Sequence, residues 1–270
     1  MPRATLRPCP TALTIAGSDS GGGAGIQADL KMFAALGVHG TSAITCLTAQ
    51  NPRGVRGIQA ATPQMVRQQI EAVLAELPPQ AAKTGMLFST AIIREVARCF
   101  AALQKKKNAP PLVVDPVMVA TSGARLLKPS AMRALCEELL PLATLVTPNL
   151  DEAAILVGRP LRQLTDVIAA AHEIQARFGC AALVKGGHLK GTPQATDVFF
   201  DGQQELQLSA PFVRGVSTHG TGCTYSAAIA AELALGRKPP EAVKRAKKHI
   251  TRAIAGSCRV GRHSVLQPQA

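Results

Sequence analysis

The chain has 270 residues, 47% of them hydrophobic and 17% charged, which suits one large α/β domain or two ordinary ones and excludes a disordered chain. Thirty Lys and Arg against 17 Asp and Glu give a formal net charge of +13, which fits a nucleic acid, an acidic membrane surface or an anionic small substrate without choosing among them. One Tyr, no Trp and seven Phe speak against the aromatic platforms of most single-strand binders, and neither an apolar run of about 18 residues nor a secretory h-region occurs, so a cytoplasmic protein is expected.

Short apolar runs alternate with helical patterns from end to end, the sequence form of a parallel sheet covered on both faces by helices. In chain order the pattern predicts strand 12–16, helix 25–36, strand 41–48, helix 63–77, strand 81–84, helix 90–104 and strand 112–115. It continues with helix 129–140, strand 144–147, helices 151–157 and 165–178, and strand 181–185. After Gly187 an antiparallel hairpin is predicted, 197–200 and 205–209 about an Asp201-Gly202 turn. Helices 221–235 and 240–257 close the fold, with 1–10 and 259–270 as irregular tails. No linker rich in Gly, Ser or Pro and no repeat divides the chain, so one domain over 1–270 is expected. Val243, Ala246, Ile250 and Ile254 recur at helical spacing, so Lys244, Arg245, Lys247, Lys248 and Arg252 between them read as the wet face of an amphipathic helix. Seven cysteines stand singly with no C-x-x-C pair, which excludes a zinc ribbon and a disulfide scaffold.

The first strand runs into Gly17-Ser18-Asp19-Ser20-Gly21-Gly22-Gly23-Ala24-Gly25, where glycines let the backbone approach a ligand ahead of a helix N-terminus. The Gly17 to Gly22 spacing imitates a P-loop, but Gly23 and Ala24 follow where Lys and Ser or Thr are required. A dinucleotide fingerprint fails too, because the G-x-G-x-x-G order is not met and Thr48-Ala49-Gln50 offers no carboxylate for a ribose.

A second glycine turn, Ser217-Thr218-His219-Gly220-Thr221-Gly222-Cys223, opens a helix and leaves several N–H groups pointing at one place, an anion hole. A thiol at a helix N-terminus is favoured as thiolate, so Cys223 can be more acidic than a free cysteine of pKa about 8.5; a buried spectator cysteine explains the position equally well. The other six cysteines sit in apolar patterns and read as inert. Asp115 ends one buried strand, where open α/β sheets hold ligands and metals. Thr147-Pro148-Asn149-Leu150-Asp151-Glu152 ends another, with Asn149 or Asp151 also a routine helix cap. Lys185-Gly186-Gly187-His188 brings a cation to the same edge.

These residues together resemble the hydroxymethylpyrimidine/phosphomethylpyrimidine kinases of thiamine biosynthesis, in the ribokinase superfamily. The carrying motifs are the run from Ala16 to Lys31, Thr48-Ala49-Gln50-Asn51, Lys83-Thr84-Gly85-Met86, Asp115-Pro116-Val117-Met118, Thr147-Pro148-Asn149, Lys185-Gly186-Gly187-His188 and His219-Gly220-Thr221-Gly222-Cys223-Thr224. The resemblance implies a ribokinase-like three-layer α/β sandwich with a mostly parallel central sheet, using ATP and Mg²⁺ on a small aminopyrimidine alcohol and its phosphate. It implies ring recognition by Gln50, whose amide can pair a ring nitrogen and an exocyclic amine together. Gly17, Ala24, Asp29, Met86 and Val117 match the rest of the pyrimidine pocket.

By the same likeness Cys223 is the base for the hydroxymethyl group, and the N–H groups of Gly220, Thr221, Gly222 and Cys223 hold the transferring phosphoryl. Asn149 and Glu152 match a pair that organises Mg²⁺ through water, with Asp115 nearby. Lys185, Asn149 and Thr147 match nucleotide contacts. The loop from Ser20 to Gly23 is expected to open room for the second phosphate. Relatives suggest a homodimer. Asp151 stands where many members have Pro, and Arg259-Val260-Gly261-Arg262-His263-Ser264 replaces the Gly-His-Gly-Pro type of ending. A pyridoxal kinase, or an enzyme doing both, is the near alternative; a basic nucleic-acid-binding protein is the remote one.

Overall fold

The computed structural model describes residues 7–118, 127–187, 189, 193–213, 215 and 219–268. The motif positions His188, Ser217 and Thr218, and the start of the N-terminal tail, residues 1–6, lie outside the described residues. The first half contains β1 (Thr11–Ala16), α1 (Gly25–Ala35), β2 (His39–Ile44), β3 (Cys46–Asn51), β4 (Gly54–Ala60), α2 (Pro63–Glu76), β5 (Ala81–Thr84), α3 (Thr90–Lys105) and β6 (Leu112–Val114). The second contains α4 (Pro129–Ala134), β7 (Leu145–Val146), α5 (Leu150–Val157), α6 (Leu164–Phe178), β8 (Ala181–Val184), β9 (Gln194–Phe200), β10 (Glu205–Pro211), α7 (Thr221–Ala234), α8 (Pro239–Ala255), β11 (Cys258–Val260) and β12 (His263–Val265).

Eight strands form one sheet in the order β10-β9-β8-β7-β6-β5-β1-β2. The six from β2 to β8 pair in parallel, and the β9–β10 hairpin continues the sheet antiparallel. Successive side chains point to opposite faces, so Leu13 and Ile15 of β1 join one apolar cluster with α2 to α6, while Ala12 joins another with α1, α7 and α8. Both faces are covered, which is why these strands read as unbroken apolar runs. Helix α7 is buried from Thr224 to Ala234, and its run of alanines lets it lie close against the sheet and α8.

Three expectations need correction. The predicted strand 41–48 is two strands in different sheets, divided at Thr45. There the Thr45 N–H bonds to Ala16 O at 3.0 Å and its hydroxyl to Met86 O at 2.6 Å, so the chain turns out of the main sheet. Beyond it β3 pairs with β4 as a separate antiparallel ribbon bulged at Ala49/Gln50; β4 is exposed at every residue and gave no apolar signal. The predicted helix 129–140 is α-helical only to Ala134, then continues through a π turn, Leu135–Leu139, and a 3-10 turn, Leu140–Leu142, at Pro141. The irregular tail expected over 259–270 contains the ribbon β11–β12, anchored by Leu266 against the α7–α8 cluster and by Gln267 Nε2 donating to Cys258 Sγ at 2.8 Å.

Candidate active site

Strand order reverses at β1, with β2 on one side and β5 to β8 on the other. In open α/β sheets ligands bind outside the carboxyl ends of the strands at such a reversal, and here a cavity of about 860 Å³ lies there. Gly17, Ala24, Gln50, Met86, Val117, Asp115, Asn149, Glu152, Lys185, Gly220, Thr221, Gly222 and Cys223 all line it. The β3–β4 ribbon overhangs it through Thr48, Gln50, Val55 and Ile58. Thr147 and Asp29 are not in its wall, and neither is the stretch from Ser20 to Gly23, the loop expected to open room for a second phosphate, of which Gly21 and Gly23 line a separate small cavity. Thr147 is buried, with its hydroxyl unpartnered. Asp29 is wholly buried in α1 beneath the floor.

Asp29 does its work through Lys83, which sequence reasoning left without a role. Lys83 Nζ lies 3.0 and 2.8 Å from the two Asp29 oxygens, and Thr14 Oγ1 donates to the same carboxylate at 2.6 Å. Burial pulls the Lys83 pKa down, but the Asp29 carboxylate outweighs it and holds the ammonium above its ordinary value. A lysine inside the buried run Ala81-Ala82-Lys83-Thr84 was the available signal, since Lys is almost never fully buried unless paired.

The glycine-rich loop is organised by its own carboxylate. Buried Asp19 accepts the N–H groups of Gly21 at 2.8 Å, Gly23 at 3.1 Å and Ala24 at 2.8 Å, while Gly22 N–H bonds to Asp19 O at 2.9 Å. Burial opposes the Asp19 anion, but bonds from His219, Gly21 and Ala24 outweigh it and keep its carboxyl below the usual value. Gly17 is wedged where a Cβ would meet Cys46 Sγ and Met86 Cε at 2.7 and 2.9 Å. Ser20 ties the loop to the overhanging ribbon, donating to Gln50 O at 2.6 Å and accepting Gln50 N–H at 2.7 Å.

The second glycine turn starts α7. Gly220 has φ +79°, and a Cβ on it would collide with the Gly23 carbonyl oxygen, so the two glycine loops touch backbone to backbone. Cys223 in the first turn faces the cavity. The expected acidification does not hold: burial pushes the thiol up to about 11, opposed by Lys83 and reinforced by Asp29 and Asp115. Desolvation next to two carboxylates exceeds what the Lys83 cation and a backbone bond from Gly25 return. Of the cysteines read as inert, Cys99 and Cys180 are pushed up to about 11 and about 12, with burial the largest cause in both, whereas Cys9 is exposed.

At the ends of β6, β7 and β8 the polar residues close on one another. Lys185 Nζ lies 3.2 Å from Asp115 Oδ1, and Ser226 Oγ of α7 lies 3.3 Å from Asp115 Oδ2. Gly222 lets α7 approach this pair, since a Cβ there would stand 3.3 Å from Lys185 Nζ. Asn149 caps α5 and forms a capping box with Glu152 while also lining the cavity. Glu152 also accepts Met118 N–H at 2.9 Å, fixing a turn in which Val117 has φ +45°, an outlier for a β-branched residue.

Glu152 thus engages one oxygen with Met118 N–H and the other with Asn149 N–H, and Asn149 Oδ1 takes Glu152 N–H. Among the described residues no group of three His, Cys, Asp or Glu could hold a metal. The remaining lone pairs suit the waters of a hydrated Mg²⁺, an ion that dehydrates reluctantly.

The far end of the cavity is apolar, with Leu189, Phe212, Val213, Ile250 and Ile254. Lys247, expected on the wet face of α8, points inward: its Nζ donates to Asp197 Oδ2 at 2.7 Å and Ala195 O at 3.0 Å, while Asp197 Oδ1 accepts Gly186 N–H at 2.9 Å. Among the described residues no helix is long and apolar enough to cross a membrane.

Residues 19–267 match the family model for phosphomethylpyrimidine kinase. The hydroxymethylpyrimidine/phosphomethylpyrimidine kinase of Rhizobium meliloti is 51% identical over 250 residues, 92% of each chain. Among solved structures, the phosphomethylpyrimidine kinase of Clostridium difficile is 43% identical with a TM-score of 0.79, covering 90% of this chain and 99% of that one. The ADP complex of Bacillus subtilis pyridoxal kinase is 37% identical with a TM-score of 0.86, covering 97% and 98%. The mostly parallel sheet with helices on both faces is the ribokinase-like architecture shared with these structures, and the chain belongs to the phosphomethylpyrimidine kinase family.

Proposed function

We propose that this protein transfers the γ-phosphoryl group of ATP to 4-amino-5-hydroxymethyl-2-methylpyrimidine, and then to the resulting monophosphate, in thiamine biosynthesis. The observation that carries this reading is one cavity holding an amide, Gln50, at its mouth, a thiol, Cys223, at its floor, and a lysine, Lys185, beside the anion-hole turn. Likeness to relatives that carry that name supports it over nearly the whole chain.

In this reading Gln50, Met86 and Val117 orient the ring, and the apolar end with Phe212 and Ile250 takes the adenine. The alcohol oxygen bonds to the γ-phosphorus, the bond to ADP breaks, and the alcohol proton passes to the thiolate form of Cys223, which becomes the thiol. The N–H groups of Gly222 and Cys223, in the first turn of α7, precede the helix's own hydrogen-bond ladder and face the transferring group; Lys185 adds a cation. Mg²⁺ would be held through water by Asn149, Glu152 and Asp115, and when bound it neutralises charge on the phosphate oxygens. Because Asp19 already binds the loop N–H groups, and Gly22 and Gly23 stand outside the cavity wall, this loop does not hold the second phosphate.

We further infer a cytoplasmic homodimer with no nucleic-acid or membrane partner. Exposed Leu47 on β3 and Val260 on β11 supply apolar surface for self-association; a monomeric elution volume, or retention on heparin that survives saturating ATP, counts against these points.

A coupled assay of ADP release with the pyrimidine alcohol, its monophosphate and pyridoxal tests the whole reading. The expected result is turnover on both pyrimidines. Turnover on pyridoxal alone would move the protein to the pyridoxal kinases, to which its solved-structure likeness also extends.

A further inference from the structure

The two glycine loops are joined by a contact that the chemistry above does not use. Asp19, which gathers the N–H groups of the first loop, lies 3.5 Å from His219 Nε2, at the start of the second. The partners are 200 residues apart in the chain. His219 is one-third exposed and Asp19 is buried, so the imidazole lies over the carboxylate from the solvent side. A Cβ on Gly23 would stand 3.0 Å from His219 Cδ2, and Gly220 leaves no room for a Cβ against Gly23. Three contacts thus hold the loops together: carboxylate to imidazole, Gly23 to the ring, and Gly23 to Gly220.

The C-terminal ribbon backs this arrangement. Ser264, Val265 and Leu266 enclose with Asp19, Gly23 and His219 a cavity of about 20 Å³, room for about one water. The chain from Ser264 to Leu266 is therefore a wall behind the loops.

We propose that Asp19 and His219 form a clasp that makes the ring-binding loop and the phosphoryl-holding turn move as one body, with both acting as positioning residues. The physical reason is that transfer needs the alcohol and the phosphoryl group in line at near-contact distance, and misplacement by about 1 Å can cost about 10²-fold in rate. Each loop binds one reactant. If the loops drift apart each reactant still binds, but the reacting atoms lose alignment, so kcat falls while the KM for ATP does not.

The proposal rests on the kinase reading, so its test includes a measurement that needs no turnover. Amide hydrogen exchange of the 17–25 segment is followed in the full chain for wild type, His219→Ala and His219→Gln. We expect His219→Ala to speed exchange at Gly21, Gly23 and Ala24 about tenfold, and His219→Gln, which returns an Nε2 donor, to restore protection. Unchanged exchange in His219→Ala overturns the clasp. In the coupled assay His219→Ala should lower kcat about tenfold and leave the KM for ATP within about twofold. Asp19→Asn should lower kcat at least as much, and Asp19→Asn with His219→Ala should be no slower than Asp19→Asn alone. Multiplying losses in the double variant, or a His219→Ala kcat equal to wild type, would also overturn it. An inactive wild type would fail the kinase reading and leave the exchange result to judge the clasp.

Discussion

The loop after β1 and the turn before α7 are both glycine-rich, both lead into helices and both line the same cavity, yet they do opposite things with their backbone. In the first, the N–H groups of Gly21, Gly22, Gly23 and Ala24 all close on Asp19, so the loop is a finished shape with these donors already engaged. In the second, Gly220 in a left-handed conformation and Gly222 against Lys185 bring the first turn of α7 up to the cations, so the turn offers charge. Glycine content alone does not identify an anion site; the fate of each N–H does.

The most severe way to break the second region is to remove its thiol. Cys223→Ser should lower kcat about 10²–10⁴-fold while ATP binding by calorimetry persists; near-wild-type turnover would remove Cys223 as the base. The pH profile sharpens this. The active form is the thiolate, and its pKa is pushed up to about 11, so kcat should rise about tenfold per pH unit through the neutral range and level only near that value. A plateau by pH 8 would mean that bound nucleotide lowers the pKa or that another group is the base.

Lys83→Met tests the floor shared by both regions. It leaves the Asp29 carboxylate buried without its cation, which should cost about 3–5 kcal/mol of stability in denaturant titration, and it removes the charge that opposes the rise in the Cys223 pKa. Loss of less than about 1 kcal/mol would show that Asp29 is neutral.

Two glycines with positive φ, Gly22 of the first region and Gly220 of the second, set the regions against each other directly. Gly220→Ala must push Gly23 away and should slow turnover about 10²-fold. Gly22→Ala, whose Cβ meets only the tip of Lys31 at 3.3 Å, should cost about 1–2 kcal/mol of stability for its φ of +72° and little turnover. Equal losses of kcat in the two would erase the distinction.

At Gln50 the effect is expected on binding more than on turnover. Gln50→Ala should raise the KM for the pyrimidine by the equivalent of about 1–3 kcal/mol with a lesser change in kcat. An unchanged KM would take Gln50 out of ring recognition.

What could be read from the sequence follows from locality. Apolar runs buried on both faces, such as Ala81–Thr84 and Ala181–Val184, announce parallel strands because every side chain there leaves water, and glycines before a helix announce a close approach because only they permit it. Motifs at strand ends therefore located much of the cavity wall, though not the overhanging Val55 and Ile58 or the apolar end with Leu189, Phe212 and Ile250. The β4 strand was missed because its seven residues are all exposed and its partner is decided by the turn at Thr45. The inward direction of Lys247 was missed because helical periodicity cannot say which flank of an apolar stripe meets Asp197 across 50 residues. The pKa of Cys223 was misread because a helix terminus is visible in sequence, whereas burial beside Asp29 and Asp115 is not.

By itself, then, the sequence determined the alternation of strands and helices and the residue types at each strand end, since these depend on neighbours within a few positions. Only the tertiary structure decided which groups became partners: Lys83 with Asp29 across 54 residues, Lys185 with Asp115 across 70, and Asp19 with His219 across 200. Electrostatic energies depend on separation in space and on exclusion of water, and the chain acquires both only when the sheet has brought its strand ends to one edge.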